Sequence, residues 1–211
     1  YAAWITQRID APLKLLHTIN HHHETAVTTD LSGNIGLGSQ ESLLEEISEL
    51  EQQQSKLKLQ KGKLLLQAAK DRVIKAGISN PICSKRHGGL IESLIELEDN
   101  IRVLVLGVRG QVHDNQNNKI GAKLEVVIRS LHRPILIVNS SFKEPQRIMI
   151  AYDGSEAADK AIEMVAKSPL YKGLTCHLVC VNNNVANAEN LLQQASEKLK
   201  TANELTLISA S

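Results

Sequence analysis

Short apolar runs alternate with amphipathic segments along most of the chain. The segments with apolar residues at helical spacing are 42–75, 90–97, 121–131, 156–167 and 188–200. The runs with the length and composition of strands are 13–19, 82–84, 102–107, 135–138, 147–152, 176–181 and 205–208. Apolar strands that alternate with helices are typical of a parallel sheet covered by helices on its faces. The pattern therefore predicts an α/β fold. Residues 1–9 have the spacing of a helix, which we expect Asp10 and Pro12 to end.

The segment 102–139 contains the clearest unit of this pattern. Its first apolar run ends at Gly107, a polar loop follows, and an amphipathic helix begins near Gly121. Pro134 prevents that helix from continuing, and the run 135–138 follows at once. A strand, a helix and a strand of this length predict a right-handed parallel crossover.

The loop of this crossover is rich in glycine, which lets main-chain N–H groups approach a phosphate at a helix N-terminus. The spacing resembles the universal stress protein family, which holds ATP with Gly-x-x-Gly, a spacer, and Gly followed by Ser or Thr. Ala122 takes the place of the hydroxyl residue, and the spacer is one residue longer than usual. The resemblance implies weak ATP binding, with Mg²⁺ only alongside ATP. The loop residues that it assigns to the nucleotide are Gly107, Arg109, Gly110, Gly121 and Ala122.

A second motif supports the same resemblance. The segment 151–155, Ala-Tyr-Asp-Gly-Ser, is similar to the end of the first strand in a universal stress domain, where the aspartate reaches the adenine and ribose. The resemblance assigns that role to Asp153, and it places Ile19 and Val181, at the ends of two other strands, beside the ligand. From the residues alone, Asp153 is also predicted to cap the helix 156–167.

The order of elements after residue 142 repeats the order before it. This predicts two tandem Rossmann-like domains, each an open parallel five-stranded sheet flanked by helices, at residues 1–142 and 143–211. We expect the first to lack its first strand, and the second to lack the glycine loop and last two strands. A permuted sheet is the alternative, in which the strand ending at Asp153 lies beside the one ending at Gly107. We prefer the tandem because sequential repeats normally fold as units.

The segment 42–75 predicts one long helix. Apolar residues follow each other at alternating spacings of four and three, interrupted by Gln54 and Lys61. Such a repeat is typical of a coiled coil. Because two positions of the repeat are polar, we prefer a surface helix that overhangs its sheet, and we keep a dimeric coiled coil as the alternative.

Composition narrows the classes of partner. The net charge is +1, so no basic field points to nucleic acid or to acidic membranes. With no long apolar run and no leader pattern, we expect a cytoplasmic protein without a membrane partner. Cys83, Cys176 and Cys180 lie in strand-like runs and are predicted to be buried thiols. The histidines at 21–23 are predicted to lie in a solvated loop rather than to hold a metal ion.

Two functions remain open from the sequence. One is a nucleotide-binding stress-response protein, and the other is a tandem scaffold that has lost ATP and acts through partners or dimerisation. No nucleophile–base pair is evident, so we expect no catalytic residue and at most slow ATP hydrolysis. The uncharged strand 135–138 predicts an edge that is covered by self-association or by domain pairing.

Overall fold

The computed structural model describes residues 1–19, 37–108, 122–139, 141–199 and 205–210, which form two compact units. The middle unit is Pro12–Ser140, and the terminal unit joins Tyr1–Ala11 to Ser141–Ser211. The chain thus divides close to the boundary expected at residue 142. The first eleven residues, however, belong with the terminal unit rather than with the residues that follow them. The assignment of 1–142 and 143–211 to two family domains stays a prediction.

The middle unit alternates strands and helices. Its elements in chain order are β1 (Lys14–Ile19), α2 (Leu37–Lys75), β2 (Ile82–His87), α3 (Leu90–Leu97), β3 (Leu104–Gly107), α4 (Ala122–Ser130) and β4 (Ile135–Val138), and α1 (Ala2–Ile9) precedes them in the terminal unit.

The sequence patterns located these elements closely. β4 has the predicted bounds, and α2 ends at the predicted Lys75 but begins at Leu37 rather than at residue 42. α4 begins one residue after Gly121 and ends before Pro134, as the missing N–H of proline requires. β2 runs three residues beyond the predicted segment, to His87.

The strands of the middle unit pair in parallel, as predicted, but not in one sheet. β1 pairs with β2, from Lys14 opposite Ile82 to Ile19 opposite His87. β3 pairs with β4, from Leu104 opposite Ile135 to Gly107 opposite Val138. Among the described residues these are two separate two-stranded sheets. The described residues of this unit thus show two strand pairs, and the open five-stranded sheet stays a prediction.

A small core joins elements of both strand pairs. Leu94 of α3, with Val127 and Leu131 at α4, forms its buried centre. Leu16 of β1 and Leu104 of β3 pack against that centre. Each buried side chain of this kind contributes about 1.5–3 kcal/mol to the stability of the fold. This cluster therefore holds the helices over the strands.

The terminal unit contains one three-stranded parallel sheet, in the order β5-β6-β7. Its elements after α1 are β5 (Arg147–Ala151), α5 (Glu156–Lys167), β6 (Thr175–Val181), α6 (Val185–Leu199) and β7 (Leu205–Ala210). α5 has the bounds that the sequence predicted. The strand that leads to Asp153 pairs with β6, with Ala151 opposite Val179.

Cysteines illustrate the burial of this sheet. On β6, Cys176 and Cys180 alternate with exposed or half-buried residues and lie in the core beneath α5 and α6. Burial raises the pKa of the Cys176 thiol.

Cys83 on β2 is exposed, so the prediction of a buried thiol is wrong there. β2 is paired on one side only among the described strands, and from Cys83 onward its residues alternate between exposed and half-buried positions.

α1 packs on the terminal unit through a short 3-10 turn, Pro169–Tyr171. The guanidinium of Arg8 donates a hydrogen bond to the carbonyl oxygen of Leu170 at 2.8 Å and another to that of Lys172. The same guanidinium lies 5.3 Å from the ring centre of Trp4. The helix ends at Ile9, as predicted, where Asp10 adopts a left-handed conformation with φ of 47°.

Candidate ligand site at the carboxyl ends of the strands

The glycine segment starts where β3 ends. Gly107 is the last residue of β3 and lies opposite Val138 of β4. The N–H of Val108 donates to the carbonyl oxygen of Val138 at 2.9 Å, so the pairing continues one residue past the strand. Ala122 is the first residue of α4. The structure thus places a strand end and a helix start at the two ends of this segment. The remaining assigned residues, Arg109, Gly110 and Gly121, lie outside the described residues.

Ile19 lies at the end of β1, as expected for a residue at the carboxyl edge of a strand. Its side chain is 4% exposed, and its carbonyl oxygen accepts a hydrogen bond from the N–H of Gly88 at 3.1 Å. Because that side chain is buried in the unit, Ile19 helps to build the strand end and presents no exposed side chain to a ligand.

Asp153 follows β5 in a tight turn. One oxygen, Oδ1, accepts a hydrogen bond from the N–H of Ser155 at 2.9 Å. Gly154 between them has φ of 80°, a conformation that residues with a Cβ rarely adopt. Hydrogen bonds from Ser155 lower the pKa of the Asp153 carboxyl. The group is therefore a solvent-exposed carboxylate at neutral pH, held at the strand end.

The predicted cap of α5 is wrong by two residues. Ser155, not Asp153, is the N-cap, and its Oγ accepts a hydrogen bond from the N–H of Ala158 at 3.2 Å. Serine and aspartate are both good caps, since each offers an oxygen to the free N–H groups of the first turn. The turn at Gly154 decides between them, because it directs the Asp153 carboxylate to Ser155.

Val181 lies at the same edge of the sheet as Asp153. Since Ala151 is opposite Val179 in a parallel pair, Asp153 and Val181 each stand two residues beyond that register point. The side chain of Val181 is 73% exposed. An exposed carboxylate and an exposed aliphatic side chain thus share one strand edge. In open α/β sheets, ligands bind outside this carboxyl edge.

A second polar cluster, which no sequence pattern predicted, lies beside Asp153. Asp159 Oδ1 accepts a hydrogen bond from the Tyr152 hydroxyl at 2.8 Å and one from Lys198 Nζ at 2.7 Å. The hydrogen bond from Lys198, followed by that from Tyr152, lowers the pKa of the Asp159 carboxyl. The bond to Asp159 raises the pKa of Lys198, and burial followed by the same carboxylate raises the pKa of Tyr152. The cluster ties the end of β5 to α5 and α6.

The candidate metal site at residues 21–23 lies outside the described residues. Within the part of the chain that the structure describes, no three histidine, cysteine, aspartate or glutamate side chains converge as metal ligands would. In the same part of the chain, no helix combines the length and apolar character that crossing a bilayer requires.

Parallel strand pairs connected by helices, with polar groups at the carboxyl strand ends, define a mixed α/β protein. Comparisons with known proteins agree with this fold class. The chain is 33% identical over 210 residues to "Universal stress protein Slr1230" of Synechocystis, a match that covers 95% of this chain and 73% of that protein. The crystal structure of a universal stress protein from Archaeoglobus fulgidus has the same fold, with a TM-score of 0.62 at 17% identity, over 100% of this chain and 72% of that one. No family model matches the chain. The chain belongs to the universal stress protein family.

Proposed function

We propose that this universal stress protein is a cytoplasmic protein that binds an adenine nucleotide, ATP, through the segment 107–122. The observation that carries the proposal is the position of that segment, which joins the carboxyl end of β3 at Gly107 to the N-terminus of α4 at Ala122. β3 and β4 are parallel, so this connection crosses from one strand to its neighbour. A helix N-terminus after a parallel strand offers free N–H groups and partial positive charge to a phosphate.

The proposed binding is weak. Alanine at position 122 has no hydroxyl to donate to a phosphate oxygen, whereas the main-chain N–H groups of the segment are independent of that side chain. Mg²⁺ would enter only with the nucleotide, as a counter-ion of its phosphates. We propose no catalytic residue, and any hydrolysis would be slow, because groups that orient a water molecule for attack are needed for faster turnover.

We further propose that the two compact units are tandem copies of one family domain. The support is that each unit contains strands paired in parallel and joined through helices. The middle unit contributes the glycine segment, with the main chain of Ile19 at another strand end, whereas the terminal unit contributes Asp153 and Val181 at its own strand edge. Each copy would then hold a part of the family's ligand groups.

The outer edge of β4 is proposed to be covered by another strand. Leu104 and Val108 donate to the carbonyl oxygens of Pro134 and Val138, so by alternation Ile135 and Ile137 direct their N–H groups away from β3. No other described strand pairs with β4. Open, uncharged strand edges associate readily. Slow hydrogen exchange at the amides of Ile135 and Ile137 would support pairing in solution, and exchange at the rate of an open strand would refute it.

The nucleotide proposal is tested on the purified full-length protein. Acid extraction should release adenine absorbance, and calorimetric titration with Mg²⁺ and ATP should give a saturable heat. Gly121→Val should abolish that heat, because a branched side chain crowds the phosphates where the family has glycine. Asp153→Asn tests the charge of the strand-end carboxylate. It removes the negative charge, whereas the amide oxygen can still accept the hydrogen bond from the N–H of Ser155. If the acid extract of wild type shows no adenine absorbance and its titration gives no saturable heat, the proposal fails.

A further inference from the structure

α2 carries two apolar stripes, and only one of them faces the protein. This helix of 39 residues packs on β1 and β2. The apolar residues of α2 that are buried or half-buried recur at spacings of three and four. They are Leu59, Gly62, Leu66, Ala69 and Val73.

The second stripe lies on another face of α2. Around the helix axis it is roughly 130° from the first stripe, at about 100° per residue. Leu57 and Leu64 in this stripe are 64% and 67% exposed, although both lie in the half of the helix that packs on the strands. The other large apolar members are exposed as well. They are Leu43, Ile47 and Leu50.

Residues 43–54, in the first part of α2, have no buried face. Every residue from 43 to 54 is exposed, so this part extends beyond the strands that support the rest of the helix. At 1.5 Å per residue, α2 is about 58 Å long. The helix therefore overhangs the strands, as predicted, and the exposed stripe, which is the repeat behind the coiled-coil alternative, continues along both parts of the helix.

Charges divide α2 into two opposite halves. Residues 43–55 contain Glu45, Glu46, Glu49 and Glu51 and no lysine or arginine. Residues 56–70 contain no acidic residue. The lysines of this second half are Lys56, Lys58, Lys61, Lys63 and Lys70. A helix with one acidic and one basic half is complementary to a second copy of itself that runs in the opposite direction.

We propose that the exposed stripe of α2 is a homodimer interface, in which two copies of the chain pair their α2 helices antiparallel. A two-fold axis near the middle of the stripe brings each stripe residue opposite another stripe residue of the second copy. The resulting layers are Leu43 with Ala68, Ile47 with Leu64, Leu50 with Lys61, and Gln54 with Leu57, each occurring twice. Lys61 can cover Leu50 with its aliphatic stem while its ammonium group reaches solvent.

The residues beside the stripe agree with the antiparallel direction. In this register Glu51 of one copy lies next to Lys58 of the other, and the same pair recurs on the opposite side of the axis. Parallel pairing would instead place Glu46 beside Glu51 of the second copy, where like charges repel. The pairing also leaves the sheet-facing stripe in place, since Gly62 and Leu66 are on a different face. The proposal is independent of nucleotide binding.

Sedimentation of the full-length protein over a series of concentrations tests the interface. Wild type should reach the mass of two chains. Leu57→Asp should weaken dimerisation by at least about a hundredfold, because it places two carboxylates in the apolar seam. Gln52→Asp, on the outer face of the same helix, should leave the dissociation constant unchanged. Circular dichroism of each variant verifies that the fold is retained.

The direction of the helices is tested by mixing two charge variants. Glu51→Lys alone and Lys58→Glu alone should each weaken self-association by about tenfold, because each creates two like-charge pairs. An equal mixture of the two should form heterodimers with wild-type affinity, since every flanking pair is then of opposite charge. Raising the salt concentration should reduce all of these differences.

Several outcomes would overturn the proposal. One is a wild-type protein that keeps the mass of a single chain throughout the series. Another is a dimer that Leu57→Asp and Gln52→Asp leave equally intact, which would locate the interface elsewhere, as at the edge of β4. Charge variants that are not restored on mixing would exclude the antiparallel register.

Discussion

Gly62 in the long helix α2 lies directly against the imidazole of His17 in β1. A Cβ atom at position 62 would be 2.8 Å from both Cδ2 and Nε2 of that ring and 3.7 Å from Cδ1 of Ile19. A Cβ atom essentially never lies within 3.0 Å of another heavy atom to which it is not bonded, so glycine sets how closely the helix approaches the strand. A residue that weakens a helix is here required by its packing.

This contact predicts a change of sign in the effect of one substitution. Glycine to alanine inside a helix normally stabilises by roughly 0.5–1 kcal/mol. We expect Gly62→Ala to destabilise by about 1–3 kcal/mol instead, because the imidazole or the helix must move. In a His17→Ala background, the same change should stabilise. Denaturant unfolding of the four proteins measures both effects. Additive effects in the double variant would contradict the contact.

The cluster of Tyr152, Asp159 and Lys198 predicts a dependence of stability on acid pH. The folded-state pKa of Asp159 lies below its unfolded value, so its contribution is present above about pH 4 and is lost as pH falls through the lower folded pKa. Asp159→Asn should therefore reduce stability near neutral pH, and the difference from wild type should shrink in acid. Thermal unfolding from pH 7 to pH 3 measures this difference. A constant difference over that range would show that the charge has no part in it.

Gly154, in the turn after β5, and Gly173, just before β6, have similar φ angles, so Gly173 is a control for substitutions at Gly154. Gly154 has φ of 80° and a Cβ there would be 2.8 Å from Cδ2 of Leu191, whereas Gly173 has φ of 77° and open space. Gly173→Ala should cost about 1–2 kcal/mol, which is the strain of a left-handed residue. Gly154→Ala should cost more, because strain and the clash with Leu191 add. Equal free energies of unfolding for the two variants would refute a role for Leu191.

ATP affinity should respond to a restored hydroxyl at position 122. Ala122 begins α4, so Ala122→Ser would place an O–H at the helix N-terminus, where the family has Ser or Thr. Since a hydrogen bond to a charged phosphate contributes ~1–3 kcal/mol, binding should tighten by roughly five- to a hundredfold. Ala122→Val is a control that enlarges the side chain without adding a donor. Calorimetric titration of the three proteins checks this. No heat from wild type or from Ala122→Ser at high nucleotide concentration would leave a scaffold that acts through protein partners.

The sequence by itself determined where the strands and helices lie. β4 and α5 have the predicted bounds, and α2 ends at the predicted Lys75. These features follow from local causes, namely apolar periodicity, proline and glycine at boundaries, and buried strand composition. The glycines of the loop and Asp153 could also be identified from the sequence, because the backbone freedom of glycine and the charge of aspartate each depend on a single residue. The family followed from them.

Tertiary structure decided which of several locally equivalent choices is used. Ser155 rather than Asp153 caps α5, because in the turn at Gly154 the Asp153 carboxylate accepts a hydrogen bond from the N–H of Ser155 instead. Asp159 meets Lys198 across 39 positions of sequence, a pairing that no local pattern reports. The exposure of Cys83 depends on which strands cover β2.

The long helix shows the same division most clearly. The exposed stripe is visible in the sequence as a repeat of apolar residues, but that repeat does not reveal which face of the helix packs on the strands. Only the packing of Gly62 against His17 selects the face, because that contact depends on the distance between two elements that lie far apart along the chain. A helix face is a local property, whereas its burial is a property of whatever the rest of the chain places beside it.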